Sequence, residues 1–113
     1  MDLVSKDYID VDDALKRIGG NMGLYKRLLG NFLAGDHIAP LANAANSGDY
    51  EEASRLAHTL KGVCANLSLI KLRILSAELE EVIKSGADCS EKISELSQAF
   101  DITVENISIV TAE

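Results

Sequence analysis

His58 and the residues one helical turn to either side of it have types and spacings that suit phosphoryl chemistry. Lys61 follows the histidine at i+3, Gly62 follows it at i+4, and Arg55 precedes it at i−3. Residues three and four apart lie on the same face of a helix. A neutral imidazole nitrogen is a competent nucleophile, and the two cations can hold anionic oxygens attached to the ring. The spacing therefore predicts that His58 accepts a phosphoryl group transiently.

The histidine lies opposite the apolar face of the helix that the pattern predicts around it. At about 100° per residue, the apolar stripe of this helix is centred roughly 180° from His58. Ser54, Arg55 and Ala65 share the outward face with the ring. We therefore expect an exposed ring that is largely neutral at cytoplasmic pH. The stripe consists of Ala53, Leu56, Ala57, Leu60, Cys64 and Leu67.

Gly62 is an unfavourable residue for this position, because glycine in mid-helix costs about 1 kcal/mol relative to alanine. Its functional explanation is steric: no side chain there shields the ring, so the backbone of a partner can approach closely. Two plainer explanations stay open. Gly62 can serve helix packing, and His58, Lys61 and Arg55 can be ordinary surface residues.

Helices are the elements that must position these residues. Leu and Ala are abundant and aromatic residues make up only 4% of the chain, a composition that favours helices over a sheet. Apolar residues also recur at helical spacing in successive segments. The β-branched segment 102–110 is compatible with a strand, but a lone strand has nothing to pair with, so a helix is expected there. The predicted N-caps are Asp10, Asn21, Asp49, Ser68 and Asp88, and the predicted stops are Gly19-Gly20, a break between Gly35 and Pro40, Ser47-Gly48, and Gly86.

The order and lengths of these helices predict a bundle. Asp49 with Glu52 and Asp88 with Glu91 match the capping box, an N-cap acceptor followed three residues later by Glu. Helices joined by short connections predict an all-α fold, an antiparallel up-and-down four-helix bundle with a short accessory N-terminal helix. The length of 113 residues suits one domain over residues 1–113.

The negative net charge argues against two classes of binding partner. Eleven Lys+Arg against 18 Asp+Glu give a net charge of −7, which argues against binding to nucleic acid or to an anionic membrane. No apolar run approaches the ~18 to 20 residues of a membrane span, and two cysteines do not make a disulfide framework. We therefore expect a cytoplasmic protein with no nucleic-acid or membrane partner.

The sequence offers no motif for a bound cofactor or metal. The glycine-rich run 19–23 is not followed by Lys-Ser or Lys-Thr, which argues against a phosphate loop. The segment 10–21 lacks the glycine and the terminal glutamate of a calcium loop. His37 and His58 belong to no paired-ligand pattern typical of zinc. No cofactor or metal is expected in this chain, and no self-phosphorylation from ATP.

The run Ala57–Gly62, with the sequence AHTLKG, closely resembles the signature of histidine-containing phosphotransfer (HPt) domains of bacterial phosphorelays. The resemblance covers nearly the whole chain. It implies that His58 is the phospho-acceptor, that Lys61 stabilises the phosphoryl group and that Gly62 gives the partner clearance. Ser68-Leu69 departs from the family, which usually has a glycine and then a small residue there. Other similar segments are 14–20, 24–25, 48–49 and 77–80.

The same resemblance implies a phosphocarrier rather than an enzyme. His58 is expected to accept a phosphoryl group from the aspartyl-phosphate of a receiver domain and to pass it to the aspartate of another. The implied partners are response-regulator receiver domains and a hybrid sensor kinase, with Mg²⁺ supplied by the receiver. A monomer is expected, docking through Ser54, Arg55, Ala65 and Leu69.

Two other classes of protein remain as alternatives. One is a non-catalytic helical interaction module in which the histidine is incidental. The other is a dimerising bundle like those of sensor kinases, which needs two copies of a two-helix hairpin. The number of helices predicted here already suffices for a self-contained bundle, which weakens the second alternative.

Overall fold

The computed structural model describes residues 4–112, and all six of the elements in that range are helices. The predicted all-helical class is therefore confirmed for these residues, and the β-branched segment 102–110 lies within the last helix. No helix between residues 4 and 112 is long and apolar enough to cross a membrane. The helices are α1 (Val11–Arg17), α2 (Met22–Ala34), α3 (Ala39–Asn46), α4 (Tyr50–Asn66), α5 (Ile70–Ser85) and α6 (Ser90–Ala112).

Side-chain caps begin α1, α2 and α4 where the sequence predicts them. In each case the side-chain oxygen of the N-cap accepts a hydrogen bond from a backbone N–H three residues on, which satisfies a donor that the first helical turn leaves free. The predicted break is also confirmed, since α2 ends at Ala34 with Gly35 as its C-cap, and Pro40 lies in the first turn of α3. The bonds are Asp10 to Asp13 at 3.0 Å, Asn21 to Leu24 at 2.9 Å and Asp49 to Glu52 at 3.2 Å.

The two predicted capping boxes do not form in full. At Asp49 the reciprocal bond is absent, because the Asp49 N–H donates to the Ala44 carbonyl and the Glu52 carboxylate pairs with Arg55. At Asp88 the side chain does not bind the backbone N–H three residues on, as a capping box requires. Its carboxylate accepts from the N–H of Ser90 only two residues on, at 3.0 Å, and α6 begins at that serine.

Ser68 does not cap α5, contrary to the prediction. The N-cap is Leu69, which makes no side-chain cap bond. Ser68 has a φ of +54°, in the left-handed region, and its hydroxyl donates to Oδ2 of Asp13 at 2.6 Å. The physical reason is the short connection between α4 and α5, which reverses the chain through a conformation that glycine adopts most easily. A serine therefore occupies a position whose backbone favours glycine.

The turn between α4 and α5 is anchored by the N-terminal part of the chain. The Tyr25 hydroxyl donates to the carbonyl of Leu67 at 2.7 Å, and burial raises the pKa of this phenol, so it stays a donor. The Asp10 N–H donates to the Ser68 carbonyl at 3.0 Å, and the N–H of Ile70 donates to the Tyr8 carbonyl at 2.9 Å. These bonds fix where α4 ends and α5 begins, and so they fix which residues of the two helices lie side by side.

The helix that carries His58 packs between two neighbours. α4 packs against α3 and α5, α5 packs against α6, and α2 packs against α6 and α1. α4 buries Ala53, Ala57, Leu60 and Cys64 on its inner face, which leaves the opposite face of the helix free for the site. Facing it, α5 buries Leu72, Leu75, Leu79 and Ile83, together with the polar residues Ser76 and Glu80.

Candidate functional site

His58 lies in the middle of α4 with its ring on the outer face of the helix. Its side chain is 67% exposed, whereas the adjacent Ala57 is fully buried. The exposure predicted from the helical wheel is therefore correct, and the ring does not serve the core.

A buried carboxylate from α5 holds the histidine ring. Nδ1 of His58 lies 3.0 Å from Oε2 of Glu80, whose side chain is only 6% exposed. Two lysines bind the same carboxylate: Nζ of Lys61 lies 2.9 Å from Oε1, and Nζ of Lys84 lies 3.3 Å from Oε2. Because α4 supplies His58 and Lys61 while α5 supplies Glu80 and Lys84, the site depends on the packing of these two helices. We call these four residues the Glu80 cluster.

The lysines keep Glu80 ionised despite its burial. The hydrogen bond from Lys61 is the largest cause that lowers the pKa of Glu80, and the bond from Lys84 acts in the same direction. Burial opposes them by disfavouring the charged form. The net result lowers the pKa of Glu80 from its ordinary value of 4.5 to about 2, so the group is a carboxylate at neutral pH.

The ionised Glu80 determines which nitrogen of His58 carries the proton in the neutral ring. A carboxylate only accepts hydrogen bonds, so the nitrogen that faces it, Nδ1, must carry the proton. In the neutral ring the lone pair is then on Nε2, on the far side of the imidazole from Glu80. The cluster thus presents an oriented Nε2 on an exposed face, which is the requirement for a nucleophile that a partner must reach.

Lys61 is brought to the site, but its ammonium group binds Glu80 rather than standing free beside the ring. Its side chain is 34% exposed, so solvent and partners still reach it. Arg55 is not part of the cluster. Its guanidinium pairs with Glu52, one turn back on the same helix and toward the N-terminus.

Gly62 is exposed, and nothing inside the chain requires a glycine there. A Cβ at this position would meet no atom of the described residues within 4 Å, apart from its own helix backbone and chain neighbours. Packing against the rest of residues 4–112 therefore does not explain why the position lacks a side chain.

The docking face predicted from sequence needs one correction. Ser54 and Ala65 are half-buried and Arg55 is exposed, so all three contribute surface to the face around His58. Leu69 is fully buried. As the N-cap of α5 it points into the core that lies under the turn, and so the prediction that it contacts a partner is wrong.

The sequence did not predict that Glu80 and Lys84 lie at the site of His58. The available signal was local: Glu80 follows the apolar Leu79, on the border of the predicted inward stripe, and has Lys84 four residues later. An acidic residue at such a border with a cation at i+4 is a candidate for a buried pair. That Glu80 meets His58, 22 residues away, depends on the register of α4 and α5.

The comparison with known families agrees with this geometry. The family model of the Hpt domain matches residues 28–107, a stretch that contains α3, α4 and α5 entirely. No curated protein and no solved structure matches the chain. The family is one of phosphocarriers that act through histidine in two-component signalling. The chain, with an oriented histidine on the outer face of α4, belongs to the Hpt domain family.

Proposed function

We propose that this protein carries phosphoryl groups on Nε2 of His58, accepting them from the aspartyl-phosphate of one receiver domain and passing them to the aspartate of another. The observation that carries the proposal is the bond from Nδ1 of His58 to the buried carboxylate of Glu80, at 3.0 Å. It leaves Nε2 with the lone pair on an exposed ring, in a family of histidine phosphocarriers.

The transfer step requires no additional general acid or base. The Nε2 lone pair attacks the phosphorus, an N–P bond forms, and the P–O bond to the aspartyl carboxylate breaks with its electron pair leaving on oxygen. Nδ1 keeps its proton, and the ring becomes cationic beside the anionic Glu80. Passage to the second receiver is the reverse of this step, with its aspartate as the nucleophile. Glu80 therefore stabilises the positive charge that develops on the ring.

Lys61 supplies a cation for the phosphoryl oxygens. Its ammonium already lies beside the ring on Glu80, at 2.9 Å, and is partly exposed. By this proposal the ammonium moves from the carboxylate to the oxygens of a phosphoryl group on Nε2. Charge-assisted hydrogen bonds of this kind are the strong ones in proteins.

Gly62 and the small residues around it give the receiver room to approach. The open space at Gly62 and the low relief of Ser54 and Ala65 suit a partner that must bring its aspartate to within reach of Nε2. The receiver, by this proposal, contributes Mg²⁺ and the acidic pocket, and a hybrid sensor kinase supplies the first of the two receivers. Such encounters are transient and of modest area.

We further propose that residues 1–113 act as one monomeric unit in the cytoplasm, with α2, α4, α5 and α6 arranged as an antiparallel four-helix bundle. Hpt domains are phosphocarriers and not kinases. The proposed role accordingly includes no use of ATP.

Label transfer from a phosphorylated receiver tests the function. The purified chain is mixed with a receiver carrying ³²P on its aspartate, beside His58→Gln and His37→Gln as a matched control. We expect label in the wild type and in His37→Gln but not in His58→Gln. The label should be labile to acid and persist in alkali, as a phosphoramidate does. No transfer from any receiver would favour the plain interaction module, and label that resists acid would remove the histidine assignment.

A further inference from the structure

Two lysines bind one buried carboxylate in the Glu80 cluster, which is one cation more than the charge of Glu80 requires. Lys61 reaches Oε1 from α4, at 2.9 Å. Lys84 reaches Oε2 from α5, at 3.3 Å, and stands at i+4 from Glu80 on the same helix. Oε2 is also the oxygen that faces Nδ1 of His58. The second lysine thus acts on the oxygen that orients the nucleophile.

The second lysine, Lys84, becomes important when Lys61 binds a phosphoryl group. Lys61 cannot keep its bond to Glu80 and also give its full charge to oxygens on Nε2. If it moved and no other lysine were present, buried Glu80 would keep only the phosphorylated ring as its partner. The negative charge of the phosphoryl group offsets the positive charge of that ring, so the carboxylate would be poorly compensated, which is unfavourable for a buried charge. Lys84 reaches Glu80 from the same helix, at i+4, so its contact with the carboxylate does not depend on the position of Lys61.

We propose that Lys84 is a positioning residue, which keeps Glu80 charge-compensated while Lys61 exchanges that carboxylate for the phosphoryl group on His58. The inference rests on the proposed function. It adds a residue that does not touch the phosphoryl group and acts through Glu80 and Lys61. Without Lys84, Lys61 is retained on Glu80 and the phosphoryl group loses its cation.

The first arm of the test needs no phosphoryl transfer, because Lys61→Met imitates the departure of Lys61. Urea unfolding is measured for the wild type, Lys61→Met, Lys84→Met and the double variant. Each single variant leaves one lysine on Glu80, whereas the double variant leaves none. We expect the folding equilibrium constant of the double variant to fall at least about fivefold below the product of the two single effects. Effects that simply multiply would overturn the proposal.

The second arm measures single-turnover transfer from one phosphorylated receiver. Lys84→Met should slow transfer about three- to tenfold, and Lys84→Arg should stay within about twofold of the wild type. Lys92→Met is the matched control, since it makes the same change of charge at a lysine that pairs with Glu78 and Glu95 instead. In a Glu80→Gln background no buried charge needs a counterion, so Lys84→Met should change nothing further.

The outcomes separate the inference from the function on which it rests. If Lys92→Met slowed transfer as much as Lys84→Met does, the effect would be one of general charge, and the role of Lys84 would be overturned. The same would follow if Lys84→Met still slowed transfer in the Glu80→Gln background. A wild type that accepts label while Lys84→Met transfers equally fast would do the same. A wild type that accepts no label from any receiver would instead overturn the proposed function.

Discussion

Lys61 and Arg55 are both cations one turn from His58, but their side chains take different directions. Helical side chains lean toward the N-terminus, which brings Lys61 back toward the ring and takes Arg55 away from it. The contacts agree: Lys61 reaches Glu80 beside the ring, and Arg55 reaches Glu52 one turn back. Of these two cations, Lys61 is the one that lies beside the ring, and the proposed function assigns the phosphoryl group to it.

Lys61→Ala should slow phosphoryl transfer about ten- to a hundredfold, because one charge-assisted hydrogen bond contributes roughly 1.5 to 3 kcal/mol. Partial exposure of the site favours the lower end of that range. Arg55→Ala should stay within a few-fold of the wild type. Single-turnover transfer from one phosphorylated receiver measures both, with thermal unfolding to confirm that each variant folds. A larger loss in Arg55→Ala than in Lys61→Ala would mean that the geometry assigned to the site is wrong.

Gly62→Ala should separate stability from transfer. The fold should be unchanged or more stable by up to about 1 kcal/mol, because alanine favours the helix and its Cβ meets open space. Transfer should nevertheless slow, since the new methyl group stands where the receiver approaches. Gly30→Ala is a matched control: Gly30 is an exposed glycine inside α2, and a Cβ there also meets nothing within 4 Å among the described residues. Unchanged transfer in Gly62→Ala would remove partner clearance as its explanation.

At this scale the sequence predicts the exposed nucleophile but not the group that orients it. The exposure of His58 follows from its place on one helical wheel, and so does the nearness of Lys61. Glu80 reaches His58 from another helix, and no spacing within α4 can indicate that contact. The partner residues of a site are therefore the part that a single sequence predicts least well.

The turn between α4 and α5 depends on a serine in a conformation that costs energy. A residue with a Cβ in the left-handed region is strained by roughly 1 to 2 kcal/mol, and the bond from the Ser68 hydroxyl to Asp13 offsets part of that cost. The same bond is the largest cause that lowers the pKa of Asp13. Strain and hydrogen bond thus act in opposite directions at one residue.

Two substitutions separate these effects by urea unfolding. Ser68→Ala keeps the strain and loses the bond, and should destabilise the protein by about 1 to 2 kcal/mol. Ser68→Gly loses the bond but relieves the strain, and should lie within about 1 kcal/mol of the wild type. If glycine proved as destabilising as alanine, the left-handed backbone would not be a source of strain here.

Helix starts were predictable where a cap and its donor lie within one turn. Asp10, Asn21 and Asp49 are such cases, because each side chain binds the backbone of a residue only three positions later. Ser68 is a serine before a helix as well, but its hydroxyl binds Asp13, 55 positions earlier in the chain. A tertiary contact decides its role, and local pattern alone could not reveal it.

Across the whole molecule, the helical class follows from apolar periodicity, whereas the relative register of the helices does not. The bond of Tyr25 to Leu67 and that of Ile70 to Tyr8 set where α4 ends and where α5 begins. Their register in turn places Glu80 under His58. The site therefore depends on the packing of the whole bundle. We accordingly expect the ionisation of Glu80 to contribute to the free energy of unfolding of the chain.

Lowering the pH should remove the contribution of the Glu80 charge to stability over a defined pH range. The pKa of Glu80 is lowered in the folded protein, so its charge stabilises the fold fully above the ordinary value of 4.5 and loses that effect as the pH falls toward about 2. We expect Glu80→Gln to be less stable than the wild type at neutral pH, by about 1 to 3 kcal/mol, and the difference to shrink across this window in urea unfolding. Asp13 and Asp88, whose pKa values are lowered by hydrogen bonds from Ser68 and Ser90, weaken both proteins alike, so the difference isolates Glu80. Glu78→Gln on the same helix, at an exposed carboxylate, should follow the wild type throughout. Parallel curves for Glu80→Gln and the wild type would mean that Lys61 and Lys84 do not hold a buried charge in solution.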